Sequence, residues 1–303
     1  MVQWGFTQTS PISGCLGGLQ RRTLRRELWL SIRGMNKYLY GILVLILVYH
    51  ILYVLPLRYC VFTCTTFFDF KAGDRWERFC AAMDSLGRYH TRKTLDKVSR
   101  WVVINEYSEG STTDWVQKVE KRYPWMECIQ KGSYQKGQAA SMNLCLDIIG
   151  GSRFWIHWEE AWETRATFLD DAFAAMENSD ITQLQFTYNN GTVNWMDVAP
   201  ERIHCGERIC RIDAAPTTAE QVKTSAYVLD KEKLAAWPLY SLLPSINRVR
   251  DYLWLGDFSQ DPELWPVKFE WDYARRWWAR GNKKAVLMDG PVYRPGQHTS
   301  TYA

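Results

Sequence analysis

The chain has 303 residues, of which 47% are apolar and 23% charged, so it can build one sizeable packed domain and is too apolar to be disordered throughout. A net charge of +4, with no long basic stripe beyond the N-terminal tail, supplies no nucleic-acid footprint. In chain order, residues 1–20 are rich in Gly, Ser and Thr and read as unstructured, the start of a tail that extends to residue 37.

The run from Tyr38 to Leu57, YLYGILVLILVYHILYVLPL, contains no Asp, Glu, Lys or Arg. As a helix it would measure about 30 Å, the thickness of a bilayer's hydrocarbon core. Tyr38, Tyr40, Tyr53 and Tyr59 sit near its ends, where interfacial aromatics belong. A signal peptide would have a shorter apolar core and small residues at a cleavage site, whereas Leu57-Arg58-Tyr59-Cys60 follows here. Arg21, Arg22, Arg25, Arg26, Arg33 and Lys37 precede the run, and only Arg58 follows closely. The positive-inside rule then puts residues 1–37 in the cytoplasm, 38–57 across the bilayer, and the remainder in a lumen or outside the cell. That is a single-pass type II arrangement.

Residues 58–90 read as a short stem leading into a helical segment, WERFCAAMDSLGRYH, and 91–303 as one domain without a Pro- or Gly-rich divider. The domain alternates strand and helix. Trp101 to Ile104 is a buried strand and Thr113 to Glu120 a capped helix. Trp125 to Ile129 is a second strand, and Gly137 to Ile149 carries apolar residues at helical spacing. Arg153 to Trp158 is a third strand. A helix through Phe168, Leu169, Phe173 and Met176 follows, then a fourth strand from Ile181 to Thr187. Repeated units of this kind predict an α/β fold with a mainly parallel sheet flanked by helices, and ligands bound at the carboxyl ends of its strands. Asn190-Gly191-Thr192 is a glycosylation sequon. In HCGERIC, Cys205 and Cys210 suit a hairpin closed by a disulfide; a zinc site with His204 would lack a fourth ligand.

Acidic residues at strand and helix ends are the candidates for chemistry. Glu159 and Glu160 close the third strand, where adjacent side chains diverge. Glu270 and Asp272 precede the amphipathic stretch Ala274 to Trp278. Each pair has a plainer reading as acids that meet a helix dipole or cap a helix. His298, in GQHTSTY, is a possible metal or phosphate contact or a simple surface residue.

Several blocks in one order resemble a branch of the glycosyltransferase family 2-like proteins, which have the GT-A fold. They are VVINEYSEGS at 102–111, YPWMECIQKGSYQKGQAASMNLCL at 123–146, FWIHWEEAW at 154–162, SLLPSINR at 241–248, KFEWDYARRWWARGNKKA, and GPVYRPGQHTSTY near the end. The resemblance implies transfer of a sugar from a nucleotide-diphosphate sugar donor to a glycan or other hydroxyl acceptor. Transfer would be inverting, with a carboxylate base. It implies Glu106 at the nucleotide-base pocket and Gln138 and Asn143 on a helix lining the donor site. By the same resemblance Glu159 faces the donor, Glu160 and His298 hold a divalent metal (Mn2+ or Mg2+), and Glu270 or Asp272 supplies the base. The sixteen Trp residues fit a groove that stacks on sugar rings, although packing accounts for most of them. Related sequences carry an aspartate where this chain has Ala161. That departure favours the alternative of a catalytically inert relative that binds or assembles glycans in the membrane. A glycosidase using Glu159 or Glu160 with Glu270 is a third reading, which requires two carboxylates roughly 5–10 Å apart.

Overall fold

A computed structural model describes residues 58–69, 74–109, 113–187, 203–212, 240–261 and 268–295, together with Ile42 and Val44. The chain divides into Met1–Leu57 and Arg58–Ala303. Ile42 and Val44 are helical; the rest of the run 38–57, and the sequon at Asn190, lie outside the described residues. Among the described residues no helix is long and apolar enough to cross a membrane.

The first element corrects the stem expected over 58–90. Strand β1 (Arg58–Thr66, RYCVFTCTT) is buried from Cys60 onward. Its Val, Phe and Thr side chains favour the extended backbone, and it pairs in parallel with strands on both sides. Those neighbours are β2 (Val98–Asn105) and β4 (Ser152–Glu159), and β3 (Met126–Gln130) extends the parallel sheet beyond β2. Between them run α1 (Arg75–Tyr89), a single turn α2 (Arg92–Leu95), α3 (Asp114–Arg122) and α4 (Gln138–Ile149). The predicted strands and helices therefore fall close to where the hydrophobic periodicity placed them. Thr113 precedes α3 but makes no side-chain cap.

Beyond β4 the chain adds β5 (Glu163–Thr164), α5 (Leu169–Glu177), β6 (Gln183–Gln185), β7 (Ile203–Cys205), β8 (Ile209–Ile212) and β9 (Ser245–Arg248). Helix α6 (Val249–Leu255), helix α7 (Lys268–Ala279), β10 (Lys284–Leu287) and β11 (Val292–Tyr293) complete it. The main sheet has the order β3-β2-β1-β4-β9-β6-β10-β8-β7. Its first four strands are parallel, as expected. Strand β9 runs antiparallel to both β4 and β6, so the far half is mixed.

The strand order decides where a crevice opens. The chain steps outward from β1 to β3, then returns past β1 to β4, so the order reverses between β1 and β4. Crossovers leave these two strands in opposite directions and open a crevice at their carboxyl ends. One face of the sheet packs Val61, Val102, Ile104 and Trp155 against Met142 and Leu146 of α4, Tyr252 of α6, and Tyr273 and Trp277 of α7. On the other face Phe62 meets Trp101 and Trp158, with ring centroids 4.6 and 6.0 Å away. Much of the aromatic content is thus core.

Candidate active site

At the crevice, Glu159 ends β4 opposite Thr65 of β1. Its carboxylate accepts hydrogen bonds from Gln138 Nε2 at 3.3 Å and Trp162 Nε1 at 3.2 Å. Burial, reinforced by the charge of Glu160, pushes its pKa up to about 7. Gln138 is the first residue of α4, behind Gly137 at φ +90°, a left-handed conformation that favours glycine. The structure therefore joins Glu159 and Gln138, both expected on the donor side.

Glu160, the next residue, is 6% exposed. Its Oε1 accepts a hydrogen bond from Nη1 of Arg75, which is 4% exposed. The fold thus gives Glu160 a cationic partner. A cation expected at Glu160 would compete with that guanidinium for the carboxylate. Its pKa is raised by burial, and Arg75 opposes the rise. Ala161, buried beside it, adds no oxygen.

Glu270 lies in the first turn of α7, and its Oε1 accepts the Leu242 N–H at 2.8 Å. Burial lifts its pKa to about 7, and Glu159 is near enough for its charge to contribute. Lys284 on β10 is fully buried; burial depresses its pKa to about 7, while Glu270 works against that shift. Asp272 points elsewhere. It accepts bonds from Arg275 Nη2 and Arg276 Nε on its own helix, each at 3.1 Å. Residues two apart on a helix lie on opposite sides, so Glu270 and Asp272 meet different surroundings.

Two further expected residues are tied into the fold. Glu106 is 5% exposed and takes Lys131 Nζ at 2.8 and 2.7 Å, with the N–H groups of Tyr107 and Gly137 at 3.1 and 3.2 Å. Lys131 also reaches the Gly137 carbonyl at 2.9 Å and Ser141 Oγ at 2.7 Å. Glu106 therefore ties the end of β2 to the start of α4. Asn143 is equally committed: it donates to the Phe258 carbonyl at 2.9 Å and accepts the Phe258 N–H at 2.7 Å. His298 lies outside the described residues.

A cavity of about 20 Å³ at the ends of β1 and β4 is lined by Thr65, Thr66, Phe67, Arg75, Glu159, Glu160, Ala161 and Arg294. Neither arginine stands out in the sequence. Arg75 falls within the expected stem, and Arg294 shares its block with His298, the more obvious ligand by residue type. The zinc alternative at HCGERIC gives way to a disulfide: Cys205 and Cys210 are bonded across the β7–β8 hairpin.

No family profile matches the chain, and no curated protein does. Solved structures do. A crystal structure of GalNAc-T7 with UDP, GalNAc and Mn2+ aligns with a TM-score of 0.53 and 11% identity, over 78% of this chain and 44% of that one. S. aureus TarS 1-349 aligns at 0.47 and 15% identity over 76% of this chain and 58% of that one. The same protein in complex with UDP gives 0.47 and 16%. This chain thus spans about half the length of the structures it resembles. Its fold is that of the GT-A-type glycosyltransferases.

The cation in the GalNAc-T7 complex raises the question of whether these residues would hold one. Among the described residues, no three His, Cys, Asp or Glu side chains converge on a point. The cavity offers Glu159, the neutralised Glu160 and two guanidiniums, a donor set that fits a divalent cation poorly.

Proposed function

We propose that this chain is a glycosyltransferase that moves a sugar from a nucleoside-diphosphate sugar to a hydroxyl acceptor, with Glu270 as the base. The observation that carries the reading is Glu159 at the crevice between β1 and β4, with Glu270 near enough for the two charges to interact, inside a GT-A-type fold. In an inverting transfer the acceptor oxygen bonds to the anomeric carbon while the bond to the diphosphate breaks. The nucleoside diphosphate leaves with the electron pair, and the base takes the acceptor's proton. A carboxyl with a pKa of about 7 is matched to that task near neutral pH. Glu159, oriented by Gln138 and Trp162, accepts hydrogen bonds from hydroxyls of the bound donor.

The apolar run 38–57 anchors the chain in a bilayer, with the catalytic unit lumenal or extracytoplasmic and facing a glycan acceptor. The length of the run, the arginine bias before it and the Cys205–Cys210 disulfide support this. Protection of residues 58–303 from protease in sealed vesicles is the expected result; cleavage without detergent would reverse the orientation.

The purified full chain, given a panel of UDP- and GDP-sugars, is expected to release the nucleoside diphosphate. A folded chain that releases none and binds neither UDP nor GDP would instead be an inert relative, the reading that the buried Ala161 favours.

A further inference from the structure

The cavity at the ends of β1 and β4 contains hydrogen-bond donors that a metal ion would leave unmet. Arg294 Nε is buried and has no hydrogen-bond partner among the described residues, and neither has the hydroxyl of Thr66, a residue 3% exposed. Both residues line the cavity with Arg75. A buried donor without an acceptor is costly, and a cation cannot relieve it because cations accept no hydrogen bonds. A phosphate oxygen meets a guanidinium and a hydroxyl together through strong charge-assisted bonds. About 20 Å³ accommodates roughly one water-sized group, so a single phosphate oxygen enters the cavity and the rest of the diphosphate lies at its mouth.

Charge points the same way. Arg75 and Glu160 balance each other, which leaves the charge of Arg294 beside Glu159, whose pKa burial and Glu160 push up to about 7. Both arginines act electrostatically on Glu159 and Glu160. Ala161 supplies no carboxylate to hold a cation at the spot. A site built this way attracts an anion.

We infer that Arg294, Arg75 and Thr66 grip the diphosphate of the nucleotide directly, in the place where a divalent cation would otherwise neutralise it. The inference rests on the transferase reading and names the leaving-group subsite within it. The two guanidiniums would stabilise the negative charge that develops as the sugar departs.

The test is calorimetric titration of the full chain with UDP, GDP and inorganic pyrophosphate, in EDTA and in Mn2+. At least one nucleotide should bind in EDTA with a Kd within about threefold of its Mn2+ value. Arg294→Gln should weaken that binding by at least about tenfold, the loss expected for one charge-assisted bond. Arg294→Lys should fall between, and Thr66→Val should also weaken it. Arg75→Gln would strand Glu160 and disturb the fold, so Arg294 carries the test, with circular dichroism to check that each variant is folded. Binding that requires Mn2+, or wild-type affinity in Arg294→Gln, would overturn the arginine grip and leave the transferase standing. No binding of any probe by folded wild-type chain, in either buffer, would remove both.

Discussion

Glu270 and Asp272 are two residues apart in sequence and chemically alike, yet their surroundings give them different fates. Glu270 accepts the Leu242 N–H, whereas Asp272 is spent on Arg275 and Arg276. Replacing Glu270 by Gln should lower the transfer rate by at least about 100-fold, the low end for loss of a general base, while nucleotide affinity is retained. Asp272→Asn should keep transfer within about threefold, since its partners lie on the helix surface. Steady-state rates with saturating donor distinguish the two. The pH dependence follows from the same burial. The rate should rise with pH up to about 7, where Glu270 becomes ionised, and then level off. Stability moves the other way. The folded state holds this proton more tightly than the unfolded chain, whose carboxyl titrates near 4.5. That contribution is full below 4.5 and is lost as pH rises towards about 7. The melting temperature of Glu270→Gln should therefore gain on wild type between about pH 5 and pH 8.

At the scale of elements, buried ion pairs do the work of joining strand ends to helix starts. Glu106–Lys131 fixes β2 to the first turn of α4, and that turn carries Gln138 to Glu159. Lys131→Met leaves a buried carboxylate without its partner and should cost about 3–5 kcal/mol in urea denaturation. The double change Glu106→Gln with Lys131→Met should recover part of that loss. Gln183 performs a neutral version of the same task. It donates to the Ser241 carbonyl at 2.9 Å, Asn247 Oδ1 at 3.1 Å and Tyr252 Oη at 3.0 Å, so β6 holds the 241–248 block beneath Glu270. Polar residues of the block SLLPSINR take part in this network.

Across the whole molecule, the sheet separates the site from its disulfide-closed edge. Strands β9, β6 and β10 lie between β4 and the β8–β7 hairpin. The pair Cys205→Ser and Cys210→Ser opens only a short loop, so losing the disulfide should cost about 2 kcal/mol or less. Nucleotide affinity should stay unchanged in that variant, and a shift beyond about twofold would mean the edge is coupled to the crevice. The positions of most strands and helices were legible in the sequence because a packed strand or helix writes its period into a few consecutive residues. Strand β1 escaped because it follows directly on a long apolar run and therefore reads as part of the stem. The acidic pairs at 159–160 and 270–272 were legible too, since their residue types and their places at element ends are local features. Chain order alone could not say that Glu160 would meet Arg75 across 85 residues, or that Glu106 would be enclosed by Lys131. Local pattern thus determined the α/β alternation and the list of candidate acids. Tertiary structure decided which of those acids kept an open face, because only the folded sheet brings distant cations to some carboxylates and leaves others at the crevice.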